Sequence, residues 1–111
     1  MADKGATVSV VNGVISVVPD PIEVGPGKDS KLTWTLDNDA EKAGWRFTGN
    51  GIDIAGNNGE FDTPEQKDGG KKFKWNDKNR NKLSYKYTVN LVNGAQTLSK
   101  DPAIQNGGES L

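Results

Sequence analysis

The sequence predicts an all-β domain of seven to nine short antiparallel strands arranged as two packed sheets. Two observations lead to this. β-Branched and aromatic residues alternate with polar ones at a period of two, and the alternating runs are separated by Asn-Gly, Gly-rich and Pro-rich turn signals. A third points the same way: no stretch supports a substantial helix.

Residues 7–11 and 14–18 are β-branched runs joined by Asn12-Gly13, a dipeptide whose tolerance of positive φ suits a tight hairpin. Counting outward from the turn sets Val10 opposite Ile15 and Val8 opposite Val17, with Ser9 and Ser16 on the other face. Pro19 and Pro21 cannot donate to a ladder, so the strand should break there and switch before Ile22 to Val24 resumes an extended path.

Residues 31–37 alternate strictly, with Leu32, Trp34 and Leu36 inward, and 38–44 read as a polar loop. Trp45 and Phe47 flank Arg46, and Ile52 and Ile54 flank Asp53, giving two further short strands. Thr63-Pro64-Glu65-Gln66 has capping-box spacing with proline in the first helical position, enough for one helical turn.

Phe73 and Trp75 share a face in the next strand. Leu83, Tyr85, Tyr87, Val89 and Leu91 mark the longest alternation. Asn93-Gly94 then predicts a second hairpin pairing Val89 with Leu98, Asn90 with Thr97 and Lys100 with Tyr87. The largely buried set should be Leu32, Trp34, Leu36, Trp45, Phe47, Tyr87, Val89 and Leu98. At 111 residues the chain accommodates one domain over residues 1–111, with 1–6 and 107–111 loose.

Residues 77–89, with Tyr85 near the start of the long strand, resemble the approach to a late strand in immunoglobulin-like domains, where a tyrosine forms a corner with the preceding turn. The cysteine pair of antibody domains is absent, so the likeness concerns an immunoglobulin-like β-sandwich fold alone. Residues 32–36, 44–47, 50–52, 85–89 and 101–106 are also similar to a group of small bacterial proteins of about this length. That resemblance implies a stand-alone bacterial β-domain and assigns no residue a role.

Composition narrows the chemistry. The chain has no cysteine and no histidine, which removes thiolate and imidazole ligands, thiol nucleophiles and Ser-His-Asp catalysis. The carboxylates Asp37, Asp39, Glu41, Asp53, Glu60 and Asp62 fall on outward phases or in loops, where they solvate the surface, and no two stand out as a catalytic pair. Asp77, Asn79 and Asn81 have the spacing that opens a calcium loop, but Lys82 occupies the glycine position and Thr88 that of the closing glutamate. No enzyme, metal or cofactor is expected.

Charge is polarised along the chain. Residues 67–86 hold eight basic and two acidic side chains, a net +6, and the remainder holds six basic and thirteen acidic, a net −7, which together give −1. Lys72, Lys74, Lys78, Arg80, Lys82 and Lys86 are therefore the candidate binding residues for a polyanion, although a pI near 5.4 weighs against nucleic acid. Their plainer role is to protect a sheet edge and solvate a loop.

The three tryptophans sit on inward phases, so a sugar-stacking platform needs one of them to reach the surface. The leading expectation is a non-catalytic module that binds protein, including a copy of itself. Carbohydrate or polyanion binding is the alternative. No basic leader and no stretch of ~20 apolar residues is present. As written, the chain reads as cytoplasmic, or as exported if a leader or neighbouring domain has been removed, and no membrane partner is expected.

Overall fold

The computed structural model describes residues 3–108, and most of them lie in strands. In chain order the elements are β1 (Lys4–Val11), β2 (Val14–Val18), β3 (Ile22–Gly25), β4 (Ser30–Leu36), α1 (Asn38–Ala43), β5 (Arg46–Ile54), β6 (Phe61–Lys67), β7 (Lys72–Asp77), β8 (Ser84–Asn93), β9 (Gln96–Lys100) and β10 (Ala103–Asn106). One sheet runs β2-β1-β4-β7-β6. The other runs β3-β10-β8-β5, with β9 also paired to β8.

Both sheets are mixed, which corrects the antiparallel expectation: β1 pairs with β4 in parallel, and β3 with β10. Local turn chemistry specifies neighbours joined by a hairpin, whereas these pairs are joined through chain that crosses between sheets. The prolines do mark a switch, since β2 lies in one sheet and β3 in the other.

The first hairpin has the expected register, with Val10 opposite Ile15 and Val8 opposite Val17. The second is displaced by two residues, so that Leu91 faces Leu98, Asn90 faces Ser99 and Val89 faces Lys100. Gly94 and Ala95 form its loop in place of Asn93-Gly94. The side-chain amide of Asn93 is instead committed to the carbonyl of Ala43 at 2.9 Å. A two-residue shift preserves which face each side chain occupies, so alternation alone could not have distinguished the registers.

Two local expectations reverse. Residues 63–66 lie within β6, not in a helical turn. Thr63 adopts φ 55° at an irregularity between Asp62 and Glu65, and Gln66 Nε2 donates to the carbonyl of Phe47. Pro64 is tolerated because β6 is an edge strand. The polar segment after Leu36 is helical: Asp37 Oδ1 accepts from the Ala40 amide at its start, and Gly44 at φ 101° ends it.

The core forms where the inner faces meet. Seven of the eight expected core residues are buried; Leu98 is half-buried at the edge of the cluster. Aromatic pairs bridge the sheets: Trp34 with Tyr87 at 5.2 Å, Phe47 with Phe73 at 6.1 Å and Phe61 with Tyr85 at 4.9 Å between ring centres. Leu83, expected on the inner face, is exposed because β8 begins only at Ser84 and the preceding chain is still turning, with the Leu83 amide bonded to Asn81 Oδ1.

The ends are firmer than expected over the described residues. Lys4 to Ala6 belong to β1, with Ala6 buried, and Gly108 is buried as well. Residues 1, 2 and 109–111 of the segments expected to be loose lie outside the described residues.

Candidate functional site

The β1–β2 hairpin carries an unusual surface. Residues 5–19 contain no charged side chain, in a chain that is 26% charged. On its outer face Val11, Val14 and Val18 are 60%, 56% and 64% exposed. β2 is an edge strand, hydrogen-bonded to β1 alone. Exposed edges usually carry a charge, a proline or a bulge to discourage pairing with another chain.

The other edge strands have such protection. β6 has Pro64, a bulge and Lys67; β9 ends in Lys100; β3 has Glu23; and the register of β5 is interrupted between Phe47 and Ile52. Val14-Ile15-Ser16-Val17-Val18 has none. Sequence reading found the hairpin but not this surface. The missing signal was the length of the uncharged run, whose meaning depends on β2 being at an edge.

The candidate basic residues do not form one patch. Lys72 and Lys74 project from β7, Lys86 projects from β8 in the other sheet, and Lys78, Arg80 and Lys82 lie between those strands. Acidic neighbours compensate much of the segment: Lys67 with Glu65, Lys71 with Glu41, Lys72 with Asp68, Lys78 with Asp62 and Arg80 with Glu60. A charge separation that is large along the sequence thus largely closes in space.

Trp34 and Trp45 are core residues, 0% and 8% exposed. Trp75 is partly exposed, but its Nε1 donates to the carbonyl of Ile52 at 2.8 Å, which anchors the indole. It lines a hollow of about 240 Å³ with Lys31, Thr63, Glu65, Lys74 and Asn76. A shallower hollow of about 380 Å³ involves Thr48, Asn50, Asn90, Thr97 and Ser99, all neutral hydrogen-bonding side chains, beside Leu91 and Leu98.

A buried polar cluster ties one end of the fold together. Glu60, Asp77, Asn79 and Asn106 are each at most 3% exposed, which corrects the expectation that Glu60 lies at the surface. Glu60 Oε2 accepts from the Arg80 and Asn81 amides and from Asn106 Nδ2, and Glu60 Oε1 accepts from Arg80 Nε. Asn79 Nδ2 donates to the carbonyls of Gly25, Gly27 and Gly108, and its Oδ1 accepts from the amides of Gly107 and Gly108.

Asp77, Asn79 and Asn81 do not converge on a common point. Asp77 Oδ1 accepts from the Asn79 amide, whereas Asn81 turns to the Tyr85 hydroxyl and the Leu83 amide. The link from Asn81 Nδ2 to Tyr85, 2.8 Å long, joins the tyrosine at the start of β8 to the turn before it. Burial raises the Asp77 carboxyl from its usual 3.8 to about 6, opposed by hydrogen bonding from Asn79 and Asn106 and assisted by the nearby Glu60 carboxylate.

Among the described residues no group of three or more acidic, cysteine or histidine side chains is placed to hold a metal ion, and no helix is long and apolar enough to cross a membrane. Comparison with family models and with curated proteins gave no match.

Proposed function

We propose that this chain is a non-catalytic protein-interaction module, a bacterial immunoglobulin-like domain that binds through the β2 edge, with a second copy of itself as the partner. The observation that carries the reading is β2 itself: five uncharged residues on an unprotected edge, with Val14 and Val18 exposed beside it. An edge of this kind can extend its sheet by main-chain hydrogen bonds, while alternate side chains give specificity.

The strand is self-complementary. A twofold axis through Ser16 sets Val14 against Val18 of the second copy, and Ile15 against its Val17, so apolar residues face one another on both sides of a central Ser16–Ser16 pair and no like charges meet. One five-residue edge is small beside the ~1,200 Å² of a stable interface, so the dimer is weak and concentration-dependent. The immunoglobulin-like assignment draws support from the cross-sheet aromatic pairs and the Tyr85 corner.

Sedimentation velocity over a concentration series, with wild type and Ser16→Lys, tests the proposal. Wild type should shift toward dimer as concentration rises, with little weakening between 0.02 and 0.5 M salt, and the variant should stay monomeric with an unchanged melting temperature. A wild type that is monomeric throughout contradicts it. Association lost at high salt would instead favour the basic segment as a charged contact.

A further inference from the structure

The larger of the two hollows, about 380 Å³, is built by β5, β8 and β9, strands of the sheet that does not contain β2. Asn90 of β8 stands opposite Ser99 of β9, and Thr97 lies two residues along on the same face. Thr48 and Asn50 come from the other side of β8, within the irregularity of β5 between Phe47 and Ile52. Leu91 and Leu98, a cross-strand pair, complete the lining.

A tight fold-back of β5 raises one wall. A Cβ on Gly51 would lie 2.7 Å from Phe47 Cβ and 3.0 Å from the Thr48 carbonyl oxygen, so glycine is what lets the strand turn this closely. Asn90 Nδ2 secures the turn by donating to the Asn50 carbonyl at 2.8 Å. Among the described residues that is the only hydrogen bond made by the five polar side chains of the hollow. It leaves Asn90 Oδ1, the Asn50 side-chain amide and three hydroxyls open to a ligand.

No charged side chain enters the lining, in a chain that is 26% charged. Charged residues along these strands are engaged elsewhere or point away. Arg46 Nη1 donates to the carbonyls of Glu41 and Trp45, and Asp101 accepts from Thr88. Lys100 falls on the opposite phase of β9 from Thr97 and Ser99. An ionic ligand would therefore find no counter-charge, and an apolar one only two leucines. Hydroxyls and carboxamides each donate and accept, which is the pattern that neighbouring sugar hydroxyls require.

We infer that this hollow binds a neutral mono- or disaccharide, with Asn50, Asn90, Thr97 and Ser99 hydrogen-bonding its hydroxyl groups. The size follows from the volume, which lies near the lower end of the ~300–1,000 Å³ of small-ligand pockets. Each hydrogen bond made in exchange for water brings a modest net gain, and the lining has no aromatic face for stacking, so the affinity is millimolar. The site does not depend on self-association through β2.

Titration with maltose, cellobiose, lactose and N,N′-diacetylchitobiose, followed by amide NMR, tests the site. At least one sugar should give saturable shifts at the side-chain amides of Asn50 and Asn90 and the backbone amides of Thr97 and Ser99. Glycerol and glucuronate at equal concentration should not. Thr97→Val combined with Ser99→Ala removes two exposed hydroxyls that no protein group uses; it should weaken binding about tenfold and leave the melting temperature unchanged. Should the double variant melt lower, Ser99→Ala alone provides the comparison. The inference is overturned if none of these sugars gives saturable shifts, if the shifts centre on Trp75, or if the variant binds as well as wild type. An equal response to glycerol, or a preference for glucuronate, overturns it too.

Discussion

The indole Nε1 of Trp34 donates to the hydroxyl of Tyr87 at 3.0 Å, a hydrogen bond between the two sheets at the centre of the core. The rings meet edge to face at 61°. Burial pushes the Tyr87 phenol well above its ordinary value, so it stays protonated while it accepts this bond.

Removing that acceptor strands a buried donor. Tyr87→Phe should cost about 1–3 kcal/mol by leaving the Trp34 N–H without a partner, and Trp34→Ala about 3–5 kcal/mol through the cavity it opens. Urea denaturation monitored by circular dichroism measures both. A Tyr87→Phe domain as stable as wild type would show that another acceptor takes over.

Gly107 is closed to any larger residue by the backbone. A Cβ there would overlap the carbonyl group of Gly25 and lie 2.6 Å from the nitrogen of Pro26, and backbone cannot move aside as a flexible side chain can. Gly107→Ala should destabilise by more than the ~1–3 kcal/mol typical of overpacking and loosen the hydrogen bond from the Gly27 amide to the Gly108 carbonyl. Thermal melting would expose the opposite result directly.

The ion pairs are unequal. Lys72 and Asp68 are both exposed, and Lys72→Ala should change stability by ~0–1 kcal/mol. Arg80 is half-exposed, but its partner Glu60 is buried, so Arg80→Ala leaves a buried carboxylate with amide donors only. Its cost should exceed that of Lys72→Ala by at least ~1 kcal/mol, discounted from the ~3–5 kcal/mol of a wholly buried pair. Equal melting temperatures for the two variants would refute this ranking.

The first hairpin shows what the sequence makes legible. Asn12-Gly13 and the flanking valines specify turn, register and inner face together. The second hairpin keeps its inner face but not its register, because Asn93 is taken by Ala43, a contact across 50 residues that no local pattern encodes. The parallel pairs and the burial of Glu60 and Asp77 depend likewise on distant chain. Of the β2 surface, the uncharged valine run is legible in the sequence, whereas the edge position that leaves it unpartnered depends on how distant strands assemble.

Amide hydrogen exchange at rising protein concentration tests the β2 edge most directly. Amides of β2 whose N–H points away from β1 should exchange more slowly as concentration increases, while those of β1 and β8 stay constant, and Ser16→Lys should abolish the change. If β2 exchange is independent of concentration up to the millimolar range, the edge does not pair with a second copy and the proposed dimer is wrong.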